Sequence, residues 1–182
     1  MLQAELVKGN LLYHPVHGLC RIDQVIQENT PGKKNTSYSL VPKITQKMKT
    51  RFIIPNTDMK VSGFHSLVSV KEADEILAYL KAGKSEAIPS GVALETVAAF
   101  AQPNQTWSLA KTILSFPVDK VQGRDQRKRQ VLEQSIKGLI GELALVFAIT
   151  LQEAAEKIQK SLGNPAKINP VVLTAITRAG SN

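Results

Sequence analysis

"SVKEADEILAYLKAG", residues 69–83, is where the pattern of this chain changes. Ser69 and Glu72 have the spacing of a capping box, in which the serine side chain accepts a backbone N–H of the first turn and the glutamate reaches back to the serine N–H. Val70, Ala73, Ile76, Leu77 and Leu80 then recur on one helical face, and Gly83 ends the run. The spacing predicts a helix over 70–82. The chain before it reads by twos, and the chain after it reads by helical turns.

Up to about Gly63 the punctuation is that of short strands. "NLLYHP", "CRIDQVIQ", "SYSLVP" and "TRFIIP" are separated by "HG", "TPGKKN" and "KITQKMK". These segments are too short and too close for crossover helices, so a small antiparallel barrel of SH3 or Tudor type is the expected closure. From Ser66 onward the signals are helical. "VALETVAAFA" stops at "QPN", and "TWSLAKTILSF" runs to Pro117. The longest helical signal starts near Gln126 and runs through "RKRQVLEQSIKGLIGELALVFAI" to Ile149, with Leu132, Ile136, Leu139, Ile140, Leu143 and Phe147 at burial spacing. A second capping box, Thr150 with Glu153, opens a helix to about Leu162, and "GNPAKINP" precedes a last short helix around 171–178. The predicted fold class is α+β: a Tudor- or SH3-like small β-barrel over residues 1–65, followed by an all-α helical bundle over 66–182.

The chain has 182 residues, is 43% hydrophobic and carries a formal charge of +8. It is long enough to fold without staples. A single cysteine, Cys20, excludes an intrachain disulfide framework and fits a reducing cytoplasm. "MLQAELVKGNLLYHP" has no apolar core with a cleavage site, and no run of 18 apolar residues occurs, so neither secretion nor membrane spanning is expected. The basic balance favours an acidic partner, either nucleic acid or an acidic protein surface.

Residues able to do chemistry do not gather into a recognisable motif. His14 and His17 flank "PV" in a predicted turn, face each other awkwardly, and have no cysteine or carboxylate near them to complete a tetrahedral metal site. His65 stands alone beside Gly63. Cys20 adjoins Arg21, which could lower a thiol pKa, but no base or resolving cysteine accompanies it, so a small strand residue is expected there. "GKS" at 83–85 ends like a phosphate loop, yet the position five before Gly83 is Ala78 and the preceding element is a helix. Nothing assembles a nucleophile, a base and an oxyanion donor, so neither an enzyme nor a cofactor is expected. The clearest charged feature is "KVQGRDQRKRQ", in which Arg124, Arg127, Lys128 and Arg129 stand at the entrance of the long helix. Cations there oppose the helix dipole, which points either to a solvated face or to contact with phosphates or an acidic surface.

In order along the chain, three stretches are similar to the CarD/CdnL family, whose N-terminal domain is shared with transcription-repair coupling factor. "LVKGNLLYHPVHGLCRIDQV" resembles the family's "F-x-x-G-D-x-V-V-Y-P-x-H-G-x-G-x-I" opening. "FIIPNTDMKVSGFHSLVSVKEADEILAYLKAG" resembles its "V-P-x-x-N-x-x-x-x-G-L-R" passage and the helix after it. "IKGLIGELALVFAITLQEAAEKI" looks like its final helical region. The resemblance spans about residues 5–162.

This resemblance implies a bacterial transcription factor whose Tudor-like domain binds the RNA polymerase β subunit. In the family an exposed strand pairs with an edge of the β lobe; the matching residues are Gln27, Glu28, Asn29 and Thr30. A second contact position falls at Ile53, and Arg51 and Phe52 adjoin it. Strand pairing uses backbone groups and so tolerates altered side chains. The family's helical domain contacts promoter DNA and wedges a tryptophan into the minor groove. Counting back from "GELAL" places that wedge at or near Ser90, where this chain reads "IPSGVALETVAAF". No lysine or arginine occurs between Lys84 and Lys111. The expectation is therefore that promoter contact is weakened, or moved to Arg124, Arg127, Lys128 and Arg129. The alternative is a divergent paralogue that serves as a protein interaction module without binding DNA. Trp107, in "NQTWSLAKTIL", shares a predicted apolar stripe with Leu109, Ile113 and Leu114 and is expected in the core.

Overall fold

A computed structural model gives the structure of the chain and describes residues 6–30, 33–43, 50–83, 105–116, 126–163 and 168–181. The fold is mixed α+β. The chain divides into two compact units, Met1–Leu67 and Val68–Asn182.

The first unit holds four antiparallel strands in chain order: β1 (Leu11–His14), β2 (Gly18–Thr30), β3 (Lys33–Pro42) and β4 (Phe52–Pro55). Its strand pattern is read most directly through the register. Cys20 faces Pro42, Ile22 faces Leu40, and Leu40 faces Phe52, so alternate residues of neighbouring strands line one face. A bulge between Ile22 and Gln24 resets the alternation, which brings Val25 to the same face opposite Tyr38. Leu12, Cys20, Ile22, Tyr38, Leu40, Met59 and Phe64 form the buried core on that face.

Two features differ from the sequence reading. "TPGKKN" was expected as a separator, whereas β2 and β3 run on to a Thr30–Lys33 pairing, because polar residues in a two-stranded ribbon still satisfy their backbones. Among the described residues the sheet does not close into a barrel. The chain beyond β4 returns to β1 at a single bridge, in which the Tyr13 N–H donates to the His65 carbonyl at 2.7 Å and the His65 N–H donates to the Tyr13 carbonyl at 3.0 Å. His65 is thus not solitary. Its ring also meets Tyr13 edge-on, with centroids 5.8 Å apart.

The second unit is helical: α1 (Val70–Ala82), α2 (Gln105–Ser115), α3 (Gln126–Phe147), α4 (Leu151–Ser161) and α5 (Pro170–Gly180). Both expected capping boxes form. Ser69 and Thr150 accept the N–H of Glu72 and Glu153, and each glutamate accepts the N–H of its cap residue. Gly83 closes α1 in the left-handed conformation, φ 60°. The long helix stops at Phe147, two residues before its sequence pattern does. There the Ile149 N–H turns back to the Ala144 carbonyl and the Ala148 N–H to that of Leu145, with Ala148 at φ 53°. This is the Schellman stop, carried by an alanine where glycine is usual.

The apolar stripes of all five helices share one core, with Ile76, Leu80, Leu132, Ile136, Leu139, Ile140, Leu143, Ile158 and Ile176 fully buried. Trp107 packs against this core from a half-buried position, edge-on to Tyr79 with ring centroids 5.6 Å apart. Gly180 of α5 lies so close to α4 that a Cβ there would come within 2.7 Å of the Ala155 Cβ. No single helix among the described residues is long and apolar enough to cross a membrane. α3 and α4 pass such a test only as a pair bent by 109°.

Candidate functional site

Among the described residues the first unit offers two open strand edges. β1 covers β2 only over Gly18–Arg21, and the Ile22 N–H and carbonyl add bonds to Asn10 and Gly9. From Asp23 to Thr30 the outer side of β2 has no strand partner among the described residues, while its inner side pairs with β3 from Gln24 to Thr30. The outer side of β4 is likewise open among the described residues. An unpaired edge of this kind presents backbone N–H and carbonyl groups to any extended chain that can pair with them.

The expected contact residues distribute over both edges. Gln27 and Glu28 are exposed on the open part of β2, and Asn29 and Thr30 continue it as backbone paired with Lys34 and Lys33. Arg51, Phe52 and Ile53 lie on or beside β4, on the far side of β3. The structure therefore does not place the two groups on one edge. What joins them is an ion pair: the Arg51 guanidinium donates to the Asp23 carboxylate at 3.0 Å, reaching over β3 to the residue where the open part of β2 begins. Ile53 is 62% exposed and aligns with Ser39 on β3, which aligns with Gln24 on β2. Ser39 is fully buried between them, and its hydroxyl makes no hydrogen bond among the described residues.

Phe52 points the other way and enters an aromatic cluster. Its ring lies 4.4 Å from the His17 ring at 35° and 5.6 Å from Phe64. His17 stacks on His14 at 4.4 Å and 30°, and His14 packs on Phe64 at 4.8 Å. The awkward placement expected of the two histidines is thus corrected. Pro15 and Gly18 turn the chain tightly enough that side chains three apart come face to face. The turn is organised around His14, whose Nδ1 accepts the Val16 N–H at 3.0 Å and the His17 N–H at 3.3 Å. Burial pulls the His14 pKa from 6.5 down to about 4, His17 and His65 add to this, and a hydrogen bond with the Ser62 backbone opposes it. Cys20 is the small buried strand residue expected. Its side chain points into the core while Arg21 points out, so burial raises its thiol pKa. Among the described residues no group of three or more His, Cys, Asp or Glu is placed to hold a metal ion.

In the second unit Arg127, Lys128 and Arg129 are exposed in the first turn of α3, where Gln126 and Gln130 are exposed as well. Arg124 and Ser90 lie outside the described residues. The charged residue that sequence reasoning missed is Glu142. It is fully buried in α3, where its carboxylate accepts the Thr106 hydroxyl of α2 at 2.8 Å and the Val68 N–H at 3.2 Å. The signal was present: Glu142 is the one carboxylate inside the apolar run "GLIGELALVF", adjacent to the core position Leu143.

No model of a known protein family matches the sequence, and no curated protein matches it.

Proposed function

We propose that this chain is a CarD-like regulator of transcription that binds the β subunit of RNA polymerase through its first unit. The reading rests on the sequence resemblance, and the observation that carries it furthest is the open edge of β2. Among the described residues a long strand in the interior of the sheet is left unpaired on one side over the stretch that holds Gln27, Glu28, Asn29 and Thr30. A partner strand adding there gains affinity from backbone hydrogen bonds, which the polar side chains of this stretch do not obstruct. Arg51 and Ile53 supply side-chain contacts on the face that the Arg51–Asp23 pair connects to that edge. We read the sheet as part of a Tudor-like barrel, supported by the Tyr13–His65 bridge that brings the chain after β4 back to β1. The protein acts by binding rather than by catalysis, in the cytoplasm, with no cofactor.

Promoter contact falls to the helical unit. Arg127, Lys128 and Arg129 are the cations placed for it, and a few phosphate contacts give only a shallow salt dependence. An interaction module without DNA binding is the second reading, favoured by the run free of lysine and arginine between Lys84 and Lys111.

Retention of the full chain by immobilised polymerase β lobe tests the proposal. The wild-type protein is expected to be retained, Glu28→Ala to behave like it, and Ile53→Asp to bind about tenfold more weakly, as for an exposed apolar contact replaced by a charge. Failure of the wild-type chain to bind the lobe overturns the reading. On promoter DNA, replacing Arg127, Lys128 and Arg129 by alanine should lower the salt slope by roughly one per lost phosphate contact. A mobility shift that stays unchanged removes the DNA role of this cluster.

A further inference from the structure

All three histidines of the chain, His14, His17 and His65, gather at one end of the β unit with Phe52 and Phe64. The polymerase reading uses β4 but gives the histidines no role. β4 is four residues long, pairs on one side only among the described residues, and ends at Pro55. Backbone pairing to β3 over Phe52–Pro55 sets its register but leaves a short edge strand free to twist and fray. Its inward anchors are Phe52 and Ile54, and the Phe52 ring meets both His17 and Phe64 in a cluster of three rings.

We propose that His17 is a positioning residue for partner binding: held in place by His14, its imidazole clamps Phe52 and thereby fixes the direction in which Arg51 and Ile53 face the partner. The inference rests on the reading that those two side chains meet the polymerase.

The geometry gives the two histidines distinct tasks. His14 is the hub of the turn. Its Nδ1 lone pair takes two backbone N–H groups, so this nitrogen is unprotonated. A proton placed there would turn an acceptor into a donor facing two donors, and both bonds would be lost. His17 is exposed and has only ring contacts, to His14, Phe52 and Phe64. It therefore acts through shape, as one plate of a stack. The charged side chains on the elements around the stack are His65 next to Phe64, Arg51 next to Phe52, and Asp58 and Lys60 in the segment after β4. Arg51 is turned away to Asp23, and His65 hydrogen-bonds through Nδ1 to the Gly63 carbonyl. Among the described residues no carboxylate hydrogen-bonds to either stacked imidazole; the stack is held by ring packing, the two backbone N–H bonds and the hydrogen bond of His14 with the Ser62 backbone.

These roles separate by substitution. His17→Phe keeps a flat ring on Phe52, and His17→Ala removes it. His14→Asn keeps an acceptor where Nδ1 stands, able to hold the turn as an Asx turn, but removes the ring that supports His17. Amide hydrogen exchange of the full-length free protein reads the positioning directly. The inference expects His17→Ala and His14→Asn to speed exchange at whichever of the Ile53 and Ile54 amides bonds to β3 about three- to tenfold, the range of one aromatic pair, while Ile22 and Leu40 stay as protected as in the wild type. His17→Phe should leave exchange unchanged. Affinity for the β lobe should follow the same order, falling three- to tenfold for His17→Ala and within twofold of wild type for His17→Phe.

Unchanged exchange at Ile53 and Ile54 in His17→Ala overturns the inference. So does lost protection across the whole sheet in both His17→Ala and His17→Phe, which would make His17 merely structural. Normal lobe binding by His17→Ala also overturns it while leaving the polymerase reading intact. Absence of wild-type binding removes the polymerase reading, and the inference with it.

Discussion

The β unit and the helical unit are held by different chemistry. The helical core is aliphatic: Ile, Leu, Val and Ala from five helices interlock, and one buried carboxylate, Glu142, ties α3 to α2 and to the chain entering α1. Its helices also carry their own local devices, two capping boxes and a Schellman stop. The β unit has a smaller core, and its rim is fixed by rings that meet from distant parts of the chain, His17 on Phe52 and Tyr13 on His65. The helices close their backbone hydrogen bonds within themselves and draw the rest of their stability from one shared core, whereas a short edge strand such as β4 depends on contacts made across the fold. The unit with open edges is therefore the one suited to gain a strand from a partner.

The comparison breaks if the helical unit does not depend on its buried carboxylate. Glu142→Ala leaves the Thr106 hydroxyl and the Val68 N–H without their acceptor and opens a cavity, so the helical unit should lose about 3 kcal/mol. Chemical denaturation followed by amide exchange should show the loss in α1, α2 and α3 and not in the β-sheet. Close packing gives the next largest effect. Gly180→Ala pushes a methyl against Ala155 and the α4 backbone, which should cost about 2 kcal/mol by thermal melting. Loss of a cap is smaller, and Ser69→Ala should cost about 1 kcal/mol.

Acid sharpens the contrast most gently. His14 has a folded pKa of about 4 against 6.5 for the free side chain, so the unfolded chain binds the proton more readily. Its contribution to the β unit is complete above pH 6.5 and fades as the pH falls from 6.5 to 4. Glu72 and Glu153 have pKa values lowered by the hydrogen bonds from their Ser69 and Thr150 caps, so their contribution to the helical unit persists until the pH drops below about 4.5. Nuclear magnetic resonance between pH 7 and pH 4.5 should show the β unit losing protection before the helices. His14→Asn should abolish that difference.

The same contrast explains what could be read from residues alone. α1 was legible to the residue, because Ser69, Glu72 and Gly83 act within a few positions of one another. α3 was legible except at its end, where Ala148 adopts a conformation that nothing in its own side chain announces. The strands were legible as strands. The barrel closure expected of them is absent among the described residues, since the Tyr13–His65 bridge joins residues far apart without adding a strand and the open side of β2 depends on where β1 stops. The histidine stack was missed for a related reason: adjacency along the chain suggested a poor metal site, whereas Phe52 and Phe64 give the rings an apolar surface on which to stack. Glu142 was overlooked because a helical stripe is read by its apolar members.

The most direct measurement of the central claim is a titration of the isotope-labelled full chain with purified RNA polymerase β lobe, followed residue by residue. The account predicts that amide signals of Gln24–Glu28 and of Arg51–Ile53 move or broaden together, while those of α4 and α5 stay in place. Changes confined to the helical unit, or no change at saturating lobe, would contradict it.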